Sequence, residues 1–159
     1  MEQEMYLTSE GAAKLRAELD ELKGPKREEM AKRLRSAIQM GDLSENADYH
    51  KAKEDQSFME GRIQELEYLL KYAIIVDVNE VPKDTVQVGS CVTVQEGDGP
   101  EEQYEEQFFL VGAKEADPRN GKISNESPIG AALMGGHVGD VVTATTPGGK
   151  IKLKILKIE

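Results

Sequence analysis

Residues 49–73 read YHKAKEDQSFMEGRIQELEYLLKYA, and within them Tyr49, Ala52, Gln56, Met59, Ile63, Leu66, Leu70 and Ala73 recur at alternating spacings of three and four. Apolar positions roughly every 3.5 residues keep one seam of an α-helix turned toward a partner, so this stretch predicts one arm of a coiled coil. A second stripe precedes it, Leu15, Leu19 and Leu22, then Met30, Leu34 and Ala37, with a step of eight residues across Gly24-Pro25. If the chain reverses near Leu43-Ser44, Leu15 falls opposite Ala73, Leu22 opposite Leu66 and Met30 opposite Met59. Two independent patterns therefore ask for one antiparallel hairpin. Thr8 is placed to cap its first helix behind Leu7, and Gly41 to end it. Arms of roughly 30 residues would each rise on the order of 45 Å. Gly24-Pro25 and Gly61 fall at nearly the same height, which predicts a kink or a close backbone approach rather than a hinge.

The 159 residues fit one large domain or two small ones. Val, Ile, Thr and Gly with period-two alternation replace the helix formers after Val81, which sets the boundary within Asp77 to Pro82. The expectation is a coiled-coil hairpin over residues 1–77 and a second domain over 83–159. In that second half, candidate strands are Val86–Gln95, Gln107–Val111, Lys122–Ser124, Val141–Thr146 and Ile151–Ile158, with Pro147-Gly148-Gly149 as a hairpin turn. Ser127-Pro128 supplies a cap and a first-turn proline for a short helix through Met134, stopped by Gly135-Gly136. The fold class expected is α+β, with one helix on a small antiparallel sheet. Lys150, Lys152 and Lys154 alternate with Ile151, Leu153 and Ile155, for which a solvated, aggregation-resistant edge is the default reading over a binding surface.

Composition narrows the function. Thirty Asp and Glu against twenty Lys and Arg give a net charge of −10, which opposes general binding to phosphate backbones. Residues 1–80 carry 12 basic and 18 acidic side chains and residues 81–159 carry 8 and 12, so the acidity is shared. Cys91 is the only cysteine, and with His50 and His137 as the only histidines no zinc-ligand spacing exists. Nothing before Thr8 resembles an export signal and no apolar run approaches the roughly 20 residues of a membrane span, so a cytoplasmic protein without a membrane partner is expected.

The turn between the arms reads Gly41-Asp42-Leu43-Ser44-Glu45-Asn46-Ala47-Asp48-Tyr49-His50. Asp42 followed three residues later by Glu45 fits a capping box in which both carboxylates satisfy free N–H groups of the second helix. It equally fits two exposed hard-oxygen ligands for Mg²⁺. Two carboxylates do not complete such a site, so another protein and a nucleic acid would supply the rest. Arg33, Arg35, Lys51 and Lys53 make the shoulders of the tip locally basic, either as ordinary surface charges or as a phosphate-guiding patch. Tyr49 continues the heptad stripe, which makes packing its expected role, and His50 adds a possible hydrogen-bonding group.

At these residues the sequence resembles the Gre transcript-cleavage factors over essentially its whole length. The markers are Tyr6-Leu7-Thr8 with Gly11 and Leu15, the tip Gly41 to Ala47, and Glu60-Gly61-Arg62-Ile63. They continue with Ile123-Ser124, Ser127-Pro128-Ile129-Gly130, Gly139-Asp140-Val142 and Thr146-Pro147-Gly148-Gly149. Ala52-Lys53-Glu54-Asp55-Gln56 looks like the A type rather than the more basic B type. The resemblance implies a coiled coil that enters the secondary channel of RNA polymerase, and an FKBP-like C-terminal domain that docks at the rim through Ser127, Pro128 and Ile129. It implies that Asp42 and Glu45 stabilise a Mg²⁺ shared with the polymerase, which itself hydrolyses the extruded 3′ end of backtracked RNA. Ser44, Asn46, Arg35, Lys51 and Lys53 would hold the loop or touch that RNA, and the free protein would be monomeric and no nuclease by itself. Ile38 departs from the arginine common three residues before the tip glycine, leaving basic contacts to Arg35 and Lys53. The runner-up is a channel-binding regulator that does not promote cleavage. A prolyl isomerase would need an aromatic pocket, and the second half offers only Tyr104, Phe108 and Phe109 without Trp. A purely structural adaptor has no use for the acidic tip.

Overall fold

The computed structural model describes residues 4–97 and 104–159. It divides into two compact units, one over Ala12–Tyr72 and one that joins the segment ending at Gly11 to Ala73–Glu159. By its contacts the segment ending at Gly11 thus groups with Ala73–Glu159. The reason is a parallel pair of three-residue strands, β1 (Tyr6–Thr8) and β2 (Ile74–Val76), which buries Leu7 completely.

In the first unit, α1 (Ser9–Glu21) and α2 (Arg27–Gln39) form one arm and α3 (Ala47–Tyr72) the other. The buried seam is Leu34, Ala37, Ala52, Ile63, Leu66 and Leu69. Met30 and Met59 line one hollow together, as the register requires. Arg33 Nη1 donates to Asp55 at 2.7 Å and Arg27 to both carboxylate oxygens of Glu60 at 3.0 and 2.8 Å, which fixes the same register with charges. Further from the tip, Arg62 grips Glu18 with two bonds of 2.8 and 3.0 Å. Between α1 and α2, Leu22–Lys26 widen into a single π-turn around Pro25. Proline cannot donate to the α-helical ladder, and a π-turn inserts one extra residue without breaking the arm. That residue is why the stripe steps by eight there instead of seven. Neither Gly24 nor Gly61 has an atom within 4 Å of where a Cβ would stand, so close backbone approach is not the reason for either glycine.

The second unit holds a five-stranded sheet in the order β5-β4-β3-β7-β6. Its strands are β3 (Cys91–Glu96), β4 (Tyr104–Val111), β5 (Lys122–Ser124), β6 (Val141–Thr146) and β7 (Gly149–Ile158). The sheet is mixed rather than antiparallel, because β5 pairs parallel with β4. Strand pairing begins at Cys91 and not at Val86, since Gln87–Ser90 make a turn closed by Ser90 N–H to Gln87 O at 3.0 Å. Gly89 takes φ +96° in that turn, where a Cβ would also press on Val81. One face packs Val92, Val94, Leu110, Ile123, Leu153, Ile155 and Ile158 with Val86, against Leu133 of α4 (Pro128–Leu133). α4 begins as expected, with Ser127 Oγ accepting from Gly130 N–H at 3.1 Å and donating to Ser124 O at 2.6 Å. The α+β class holds.

Thr8 shows how the family-like start of the chain is held within this unit. Its Oγ1 accepts from Gly11 N–H at 3.0 Å as the α1 cap, and its own N–H and hydroxyl donate to Glu115 at 2.7 and 2.5 Å. A Cβ on Gly11 would lie 1.9 Å from Glu115 Oε1, so the glycine makes room for that carboxylate.

Candidate functional site

α2 ends at Gln39 with Met40 as its C-terminal cap, and Gly41 takes φ +125°, a left-handed turn that favours glycine. The chain re-enters helix at Ala47, which makes Asn46 the residue before the first turn. Asn46 Oδ1 accepts from Tyr49 N–H at 3.0 Å, and Asn46 Nδ2 donates to the carbonyl of Ala37 at 2.5 Å. Asn46 is the helix cap, so the capping-box reading of Asp42 and Glu45 is overturned. Asp42 instead folds the loop on itself, its Oδ1 accepting from Ser44 N–H at 3.0 Å and Ser44 Oγ at 2.9 Å. Those two bonds hold its carboxyl below the usual carboxylate range, the backbone donor contributing most. Asp42 Oδ2 and the whole carboxylate of Glu45 have no partner among the described residues, and both side chains are exposed.

Asp42, Glu45, Asn46, Ala47, Asp48 and Met40 border an open hollow of about 350 Å³. Asp48, in the first turn of α3, is the lining carboxylate that sequence reasoning passed over; its spacing of three from Glu45 was the available signal. Acids also suit this place because the N-terminal end of a helix carries partial positive charge. No group of three or more His, Cys, Asp or Glu among the described residues is gathered closely enough to hold a metal ion. Asp42 and Glu45 nevertheless fit a shared cation, as two exposed hard-oxygen donors with free lone pairs.

The basic shoulder residues differ in their freedom. Arg33 and Lys51 both bind Asp55, at 2.7 and 3.3 Å, and hold its carboxyl low, the Arg33 hydrogen bond first. Lys53 reaches Gln56 at 3.4 Å, while Arg35 is exposed and unpaired among the described residues. Tyr49 is half-buried as the heptad expects, edge-on to His50, whose Nε2 lies 3.4 Å from Ser44 O. Ile38, Met40 and Leu43 present exposed apolar surface around the acids. Of the three docking candidates, Ser127 is spent on capping α4, Pro128 is exposed and Ile129 is half-buried against the core. No described helix is long and apolar enough to cross a membrane.

Family models match both parts of the chain: "Transcription elongation factor, N-terminal" over residues 5–75 and "Transcription elongation factor, GreA/GreB, C-term" over residues 81–159. The transcription elongation factor GreA of Clostridium botulinum (strain Langeland) is 50% identical over 152 residues, spanning 96% of this chain and 93% of that protein. That of Acetivibrio thermocellus is 48% identical over 155 residues, spanning 98% and 96%. Among solved structures, the GreA factor homolog 1 protein of Thermus thermophilus is 29% identical, covers 99% of each chain and superposes with a TM-score of 0.44.

Proposed function

Since the chain belongs to the GreA/GreB family of transcription elongation factors, we propose that its hairpin tip enters the secondary channel of RNA polymerase and stimulates the polymerase's own hydrolysis of backtracked RNA. One observation carries this reading: the tip acids do no capping work, because Asn46 does it, and three of their four carboxylate oxygens face outward unbonded among the described residues. Asp42 and Glu45 are the residues that would hold a Mg²⁺ jointly with polymerase and RNA. When bound, such a metal neutralises charge on the scissile phosphate and lowers the pKa of a bound water.

The chain's own residues set the terms of that delivery. Ser44 clamps Asp42 in one orientation and keeps it ionised further into acid, so a fixed negative oxygen is presented without reorganisation. Asn46 ties the loop to the last turn of α2, which fixes where both acids stand on the arm. Arg35 and Lys53, with Lys51 partly engaged by Asp55, offer positive charge to the phosphates of the extruded 3′ end. Two carboxylates hold Mg²⁺ weakly, so the factor has no nuclease activity of its own and acts in the cytoplasm as a polymerase accessory. Adding the purified chain to a stalled, backtracked elongation complex tests this: shortened RNA supports it. Channel occupancy without cleavage would favour a regulator.

A further inference from the structure

Thr8 caps α1, its Oγ1 accepting from the N–H of Gly11 at 3.0 Å. In a capping box the residue three places after the cap is a Glu or Gln whose side chain reaches back to the cap's own N–H. Here that residue is Gly11, which has no side chain to send. Glu115, 107 residues further along the chain, fills the role: its Oε2 accepts from Thr8 N–H at 2.7 Å and its Oε1 from the Thr8 hydroxyl at 2.5 Å. The carboxylate lies where a side chain on residue 11 would have to stand. Thr8, Gly11 and Glu115 all belong to the second unit.

Capping alone does not account for the remote acid, because a glutamate at position 11 would satisfy the same N–H locally. What Glu115 adds is a tie. Gly11 N–H, the Thr8 hydroxyl and the Glu115 carboxylate form one chain of hydrogen bonds, each strengthening the next, from the first turn of α1 to the 3₁₀ turn Ala113–Glu115. Thr8 is only 3% exposed, so water competes little for these bonds. The backbone beside them is equally close: a Cβ on Gly112 would stand 1.7 Å from the Tyr6 carbonyl of β1. We infer that Glu115 is a positioning residue for transcript cleavage, fixing through Thr8 the first turn of the arm that carries Asp42 and Glu45. This rests on the function proposed above. An arm of roughly 30 residues rises on the order of 45 Å, so a tilt of about 3° at its base moves its far end by about 2 Å. Misplacement of a reacting group by about 1 Å can cost on the order of a hundredfold in rate.

The test adds the full chain to backtracked elongation complexes and reads the cleavage rate at saturating factor and the factor concentration for half effect. Hydrogen exchange at the Gly11 amide and thermal melting are followed in the free chain. Glu115→Ala should speed exchange at Gly11 and slow cleavage at saturation about tenfold or more. The half-effect concentration should change little, because the tip and α4 are untouched. Gly11→Ala ordinarily favours a helix, yet here it should act like Glu115→Ala by displacing the carboxylate, and the two changes together should cost no more than either alone. Adding Gly11→Glu to Glu115→Ala rebuilds a local capping box. Melting, lowered by about 2–4 °C on loss of the cap, should then return to the parent value while cleavage stays slow. Cleavage restored together with melting would make Glu115 a helix cap only and overturn the inference. Parent-rate cleavage by Glu115→Ala, or additive losses in the double variant, would overturn it as well. A parent chain that leaves backtracked RNA uncut would instead sink the proposed function and this inference with it.

Discussion

Asn46 and Ala37 close the hairpin: the Asn46 amide donates to the Ala37 carbonyl at 2.5 Å across the turn, while its oxygen caps α3 through Tyr49 N–H at 3.0 Å. One side chain satisfies an orphan donor of α3 and adds a second donor to the Ala37 carbonyl of α2, which also accepts from Met40 N–H at 3.1 Å.

Asn46→Ala should therefore lower stability by about 1–2 kcal/mol, more than a cap alone would account for in many helices. Asn46→Asp keeps the cap and loses the bridge, and should fall between. Thermal melting followed by circular dichroism checks the order; an alanine variant as stable as the parent would contradict it.

The hairpin was largely legible because burial imposes periodicity: two stripes and one reversal point give a register that Arg33–Asp55 and Arg27–Glu60 then repeat with charges. The tip was half legible. Asp42 and Glu45 have the spacing of a capping box, and only the actual helix start at Ala47 transfers that role to Asn46. The β1–β2 pair left no trace because three-residue strands are too short for alternation to register. The parallel seating of β5 on β4 was equally hidden, since pairing direction over so short a strand depends on a distant partner.

Changing Arg35 and Lys53 together to Ala should slow cleavage of long extruded RNA while leaving melting nearly unchanged, since exposed charges contribute about 0–1 kcal/mol a pair. Parallel loss of cleavage and stability, read from RNA gels and melting curves, would make them ordinary surface charges.

Ser127 and Pro128 should part company. Ser127→Ala removes the α4 cap and should cost about 1 kcal/mol. Pro128→Glu occupies an exposed first-turn position where an acid is tolerated, so folding should survive while polymerase affinity falls. Unchanged affinity in a competition assay would remove Pro128 from the docking surface.

Acid should loosen the hairpin. Asp55, Glu60 and Glu18 are all held below their ordinary values, by hydrogen bonds from Arg33, Arg27 and Arg62 respectively. Each binds its proton more weakly folded than unfolded, so its contribution is present above the ordinary carboxylate range and fades as pH falls through the lowered folded values. Melting temperature should drop below about pH 4, and Asp55→Asn should flatten part of that drop. A melting temperature flat through this range would contradict the ion-pair account.

The account rests on Asp42 and Glu45 acting as charged ligands, so the most direct measurement is the rate of RNA shortening in a backtracked complex with limiting Mg²⁺. Asp42→Asn removes the charge while leaving an oxygen for the Ser44 turn. It should fold, still compete for the channel, and cleave on the order of a hundredfold or more slower. Glu45→Gln should behave likewise, and raising Mg²⁺ should restore part of both activities. An Asp42→Asn protein that shortens backtracked RNA at the parent rate in limiting Mg²⁺ would contradict the account and leave the tip as a loop tied down by Asn46.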